Sequence, residues 1–128
     1  MKKFYIIMLL LLVPTFSYAE SSVTKNNNGA AFTSGADIYE AGDIVNTQTD
    51  IKGDFYGAGG MVNVNKNVGQ DIFAAGGTVI ISGDVGDDVR IVGGNIIVEG
   101  NIGGDLIIVG GQVEVKKGVK IGGNLILN

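Results

Sequence analysis

"VGDDVRIVGGNIIVEGN", residues 85–101, joins an aspartate pair to a glycine pair and ends in a run that alternates branched apolar with polar residues. Taken alone, Asp87-Asp88 has the look of a catalytic carboxylate pair. Beside its neighbours it is one line of a repeat. The same phrase precedes it as "IKGDFYGAGGMVNVNKN" (51–67) and "VGQDIFAAGGTVIISGD" (68–84), and follows it as "IGGDLIIVGGQVEVKKGVK" (102–120). A weaker copy, "SGADIYEAGDIVNTQTD" (34–50), opens the series, and the fragment "IGGNLILN" (121–128) closes it. Four units have 17 residues and the fifth has 19, the extra two falling in "KKGVK". A fixed period of this size is the signature of a solenoid.

Each unit has its own grammar. The fourth position is Asp37, Asp54, Asp71, Asp88 and Asp105, then Asn124, and the fifth is always apolar. A glycine at the ninth position is followed in most units by a second, and strict alternation comes next, as in Val79-x-Ile81 and Ile96-x-Val98. Branched residues punctuated by glycine fit strands, and no window carries a helical period. At about 3.3 Å per residue a unit closes a loop of three short strands, and successive loops stack at about 4.8 Å in parallel register. The expected fold is therefore all-β: a single-stranded parallel β-helix of about five and a half coils. Right-handed winding is expected, because 17 residues do not divide into the three similar six-residue sides of left-handed hexapeptide helices. The first, fifth, twelfth and fourteenth positions should point inward, with small residues at the seventh and eighth lining a tight corner.

The segment before the repeat is of another kind. Lys2 and Lys3 precede "FYIIMLLLLV", and "SYA" ends at Ala19, the pattern of a secretory signal peptide over residues 1–19. Residues 20–33, rich in Asn and Ser, read as a flexible polar leader, which leaves 34–128 as the repeat domain. The chain is then expected in the periplasm, the outer envelope or outside the cell. It has no cysteine, so disulfides add nothing to its stability there. Without Lys2 and Lys3, seven basic residues face thirteen acidic ones, a formal charge of −6. Such a chain is a poor partner for nucleic acid or an anionic membrane surface.

The recurrent phrases "D-Φ-x-A-A/V-G-G-x-V-x-V" and "Φ-G-G-D-Φ" resemble the bactofilins, the polymer-forming cytoskeletal proteins of bacteria, over residues 34–128. That resemblance implies a β-helix core that assembles end to end without a nucleotide. Typical bactofilins are cytoplasmic and lack a signal peptide, so the fold and self-assembly transfer rather than the location.

Several columns invite a functional reading. Stacked coils place the carboxylates of Asp37, Asp54, Asp71, Asp88 and Asp105 about 5 Å apart, where like charges repel by roughly 1 kcal/mol in water. Turn hydrogen bonds to backbone N–H groups are the expected offset, and the neutral Asn124 fits that role. Calcium bridging the same column is the competing reading, since calcium prefers several oxygen ligands. Glycoside hydrolysis wants two carboxyls at such a spacing, but it needs a pair with different pKa values rather than a row of equivalents. No histidine is present to act as a base, so no catalytic residue and no cofactor are assigned. Tyr39, Tyr56 and Phe73 share the sixth position as an outward stripe, which either stabilises the ladder or docks a partner. Lys116, Lys117 and Lys120 read as a solvated corner beside the insertion.

The ends complete the reading. A β-helix exposes unpaired backbone groups at its termini unless they are capped. Coil 34–50 is degenerate enough to cap one end, whereas Leu125, Ile126 and Leu127 stay apolar at the other. That end is either a polymerisation surface or a coil that continues past Asn128. The expected protein is a non-enzymatic, self-assembling scaffold of the bacterial cell envelope. Its partners are its own copies, with peptidoglycan or another envelope component beside them. A surface adhesin or carbohydrate-binding module using the outward stripe is the alternative.

Overall fold

The computed structural model describes residues 21–26 and 29–128; the expected signal peptide over 1–19 lies outside them. Among these residues there is no helix, and eight strands form one sheet in chain order. They are β1 (Ser22–Asn26), β2 (Gly29–Ser34), β3 (Asp37–Asn46), β4 (Phe55–Val64), β5 (Ile72–Ile81), β6 (Val89–Val98), β7 (Leu106–Val115) and β8 (Leu125–Leu127). From β3 to β8 every neighbour is parallel, with Phe55, Ile72, Val89, Leu106 and Leu125 in one column. Isolated parallel bridges join Ile51, Val68, Val85, Ile102 and Ile121 on the remaining side. The fold is the expected β-solenoid.

The glycine pair explains how one strand covers two sides. Gly59 pairs with Gly76 and Met61 with Thr78, but Gly60 has no partner in the ladder between them. One unpaired residue reverses the inward–outward alternation, as a bulge does. Odd positions therefore face inward before the bend and even positions after it. Phe55, Ile72, Val89 and Leu106 at the fifth position, and Val62, Val79 and Ile96 at the twelfth, are all fully buried. Coil 85–101 buries Val85, Val89, Ile91, Ile96 and Val98, each stabilising by about 1.5–3 kcal/mol relative to exposure.

Two expectations need correction. The seventh and eighth positions do not share a corner: Ala74, Ile91 and Ile108 at the seventh are buried, while Val92 and Val109 at the eighth are exposed. The strand runs straight through both, and the corner falls at the following glycines. Residues 20–33 are not simply a flexible leader either, since β1 and β2, over 22–26 and 29–34, pair as an antiparallel hairpin. β2 turns through Gly35 and Ala36 and pairs antiparallel with β3, from Ser34↔Asp37 to Gly29↔Gly42. Gly35, at φ 63°, supplies the left-handed residue that a two-residue hairpin loop needs. This hairpin covers the sheet edge that the first coil would otherwise leave open.

The insertion in the fifth unit is a turn. The Val119 N–H donates to the Lys116 carbonyl at 3.3 Å, and Gly118 takes φ 91° between them. Register is kept beyond it, because the Lys120 N–H still reaches the preceding coil at Asn101 Oδ1, 2.9 Å away. Lys116, Lys117 and Lys120 are all exposed around this corner.

Candidate functional site

Local backbone geometry decides the aspartate column. At each corner the N–H of the fourth residue points along the stack, away from any strand partner. The previous coil's carboxylate accepts it: Asp54 N–H to Asp37 Oδ1 and Asp71 N–H to Asp54 Oδ1 at 2.9 Å, and Asp105 N–H to Asp88 Oδ1 at 2.8 Å. Asn124 ends the row, donating its N–H to Asp105 Oδ1 at 2.7 Å. One oxygen of each carboxylate is thus committed to the next coil.

The second oxygens of Asp54, Asp71 and Asp88 meet donors of their own. Tyr56 Oη donates to Asp54 Oδ2 at 3.3 Å. Burial, and then the Asp54 carboxylate, push the Tyr56 phenol above its usual range, which keeps that proton in place. Arg90 lies 2.8 Å from Asp88 Oδ2 and 3.7 Å from Asp71 Oδ2, so one guanidinium serves two rungs. Side chains at the sixth position therefore offset repulsion at the fourth. Asp71, Asp87 and Asp88 also bring carboxylate oxygens within 4.8 Å of one another. The neighbouring Asp88 carboxylate, followed by partial desolvation, pushes Asp87 above the usual carboxylate range. Arg90 already supplies positive charge to this cluster, and the Asp71 and Asp88 Oδ1 atoms already accept N–H groups. The arrangement is that of a corner brace.

Sequence reading missed a second brace at the seventeenth position. Asn67 N–H donates to Asp50 Oδ1 and Asp84 N–H to Asn67 Oδ1, both at 3.0 Å. Asn101 N–H to Asp84 Oδ1 continues the ladder at 2.9 Å. Asp and Asn alternate here, which halves the charge without losing an acceptor. Glycine at the second position completes the corner: a Cβ on Gly86 or Gly103 would run into the carbonyl of Gly69 or Gly86 in the coil before.

The sixth position forms the stripe expected from Tyr39, Tyr56 and Phe73. Tyr39 and Tyr56 stack with ring centres 4.6 Å apart and planes 4° from parallel; Tyr56 and Phe73 follow at 5.0 Å and 3°. Phe32 of the hairpin adds a tilted ring 5.7 Å from Tyr39, and Arg90 closes the far end 5.1 Å from the Phe73 centre. Beside the ladder, small residues at the eighth position leave an apolar hollow of about 620 Å³, with Val23 and Val109 among its lining. At the end of the stack, Leu125, Ile126 and Leu127 are each about half exposed. β8 pairs with β7 through Leu106↔Leu125, Ile107↔Ile126 and Ile108↔Leu127.

These features define a β-solenoid with braced corners and an apolar outer face. No family model, curated protein or solved structure matches the chain.

Proposed function

We propose that this chain is a non-enzymatic structural protein of the bacterial cell envelope, bactofilin-like in its repeat, that associates with its own copies through the ends of the solenoid. The observation that carries this reading is the unbroken parallel register of β3 to β8, in which every coil pairs with the next through the same columns. β8 continues that register on β7, with Leu125, Ile126 and Leu127 about half exposed. An incoming strand would pair there by the same rules that join one coil to the next, a form of β-augmentation. Export through residues 1–19 belongs to the same proposal.

The non-enzymatic part rests on the carboxylates, which are occupied as acceptors in an equivalent row. The adhesin reading draws less support from the aromatic stripe. Stacked rings cover one another's faces, and those faces are what a sugar ring would need. Light scattering and negative-stain microscopy test the proposal on the protein purified after expression of the whole chain. Oligomers that shorten with Leu125→Asp/Leu127→Asp are expected. A monomeric wild type, or oligomers indifferent to this pair, would overturn it.

A further inference from the structure

The flat side that runs from the fifth to the ninth position carries two outward columns of different size. The sixth-position column is a ridge of Phe32, Tyr39, Tyr56 and Phe73, continued by Arg90 and Ile107. Next to it, the eighth-position column is low: Ala41, Ala58 and Ala75, rising to Val92 and Val109. The hairpin extends both columns, because Val23 pairs with Phe32, and Ala30 with Ala41. This makes a face eight strands long, apolar from β2 to β7 apart from Arg90 and bounded at its two ends by Lys25 and Asn128, that nothing in the described chain covers.

We propose that a second copy of this chain covers this face, lying side by side and parallel, about a two-fold axis that runs along the stack between the sixth and eighth columns. That axis sets the ridge of each copy over the trough of the other at the same rung, Tyr56 against Ala58 and Phe73 against Ala75, with both contacts made twice. A two-fold axis along the strands would instead set ridge on ridge. Large-on-small pairing at about 10 Å between sheets is how two sheet faces interdigitate. Charge permits the arrangement. The axis carries the aspartate columns of the two copies to opposite flanks, roughly 20 Å apart, beyond the screening length of about 8 Å at physiological salt. Arg90 brings no unpaired charge into the contact, since its guanidinium is turned to Asp71 and Asp88. Eight strands at about 4.8 Å, with a two-column width of about 13 Å, give a footprint near 500 Å² per copy and about 1,000 Å² in all, the lower limit for a specific interface. The contact is separate from the solenoid ends and does not depend on end-to-end association.

Ala58→Lys/Ala75→Lys fills the trough from exposed positions and leaves the aromatic ladder in place. Light scattering on the protein purified after expression of the whole chain should show this variant falling to half the mass of the smallest wild-type species, with unchanged circular dichroism. Val92→Lys serves as a second variant if the first fails to fold. Leu125→Asp/Leu127→Asp, run in parallel, should remove only species larger than the pair. The chain lacks cysteine, so introduced pairs report direction. Mixed Ile107→Cys and Val109→Cys chains should crosslink through a short bismaleimide, and Ile107→Cys with Ala58→Cys should not. A wild-type monomer at its highest soluble concentration, a monomer carrying bound lipid or peptide, a lysine variant of wild-type mass, or the reversed crosslink pattern would each overturn the proposal.

Discussion

At the scale of single residues, the aspartates act as acceptors rather than as reagents. Asp88→Ala should cost about 1–3 kcal/mol in urea unfolding, because it strips the Asp105 N–H of its acceptor and leaves Arg90 with only the longer contact to Asp71. Asp88→Asn should cost clearly less, since an amide oxygen does the same work at Asn67 and Asn101. Asp87→Ala should be neutral or slightly stabilising, because Asp87 mainly repels Asp88. Equal losses for Asp88→Ala and Asp88→Asn would mean that charge, rather than acceptor capacity, holds the corner. The two braces also show what a sequence discloses. Asp37 to Asp105 were legible because one residue type recurs at one spacing. Asp50, Asn67, Asp84 and Asn101 perform the same task but alternate in type, so a search for identity passes over them.

At the scale of elements, the repeat was legible and the cap was not. β3 to β8 follow from period and alternation, while the inward turn of the seventh position and the outward turn of the eighth needed the structure, because the phase reversal sits at Gly60 and its equivalents. β1 and β2 lie outside the repeat, and their placement depends on pairing antiparallel with β3, which no internal period announces. The one local signal was Gly35 between "AAFTS" and "ADIYEAG", a glycine where a two-residue hairpin loop wants one. The hairpin matters because it closes the edge of β3 with strands that run against the stack. A chain lacking residues 22–34 should lose stability and gain association, since the freed edge of β3 can then accept a strand from another copy. Calorimetry and light scattering would read the two effects together. A less stable chain of unchanged mass would reduce the hairpin to ordinary packing.

At the scale of the whole molecule, acid should first strengthen this fold. Glu40 occupies the seventh position of the first coil, where Ala74, Ile91 and Ile108 of later coils are buried in the core. Burial raises its pKa above the ordinary 4.5, and Asp88 with partial desolvation raises Asp87 above 3.8. For a carboxyl whose folded pKa is raised, the penalty is complete above that pKa and is relieved as pH falls through it. The relief is fully in place below the ordinary value. Stability should therefore rise as pH is lowered from neutrality through the raised folded pKa of Glu40. Easing the net negative charge of the chain acts in the same direction. Glu40→Gln should raise the melting temperature at pH 7 and flatten its rise on acidification. Melting curves as pH is lowered from neutrality for wild type and Glu40→Gln decide the matter: parallel curves would place the pH dependence elsewhere, and a convergence at low pH would assign it to the half-buried Glu40 carboxylate.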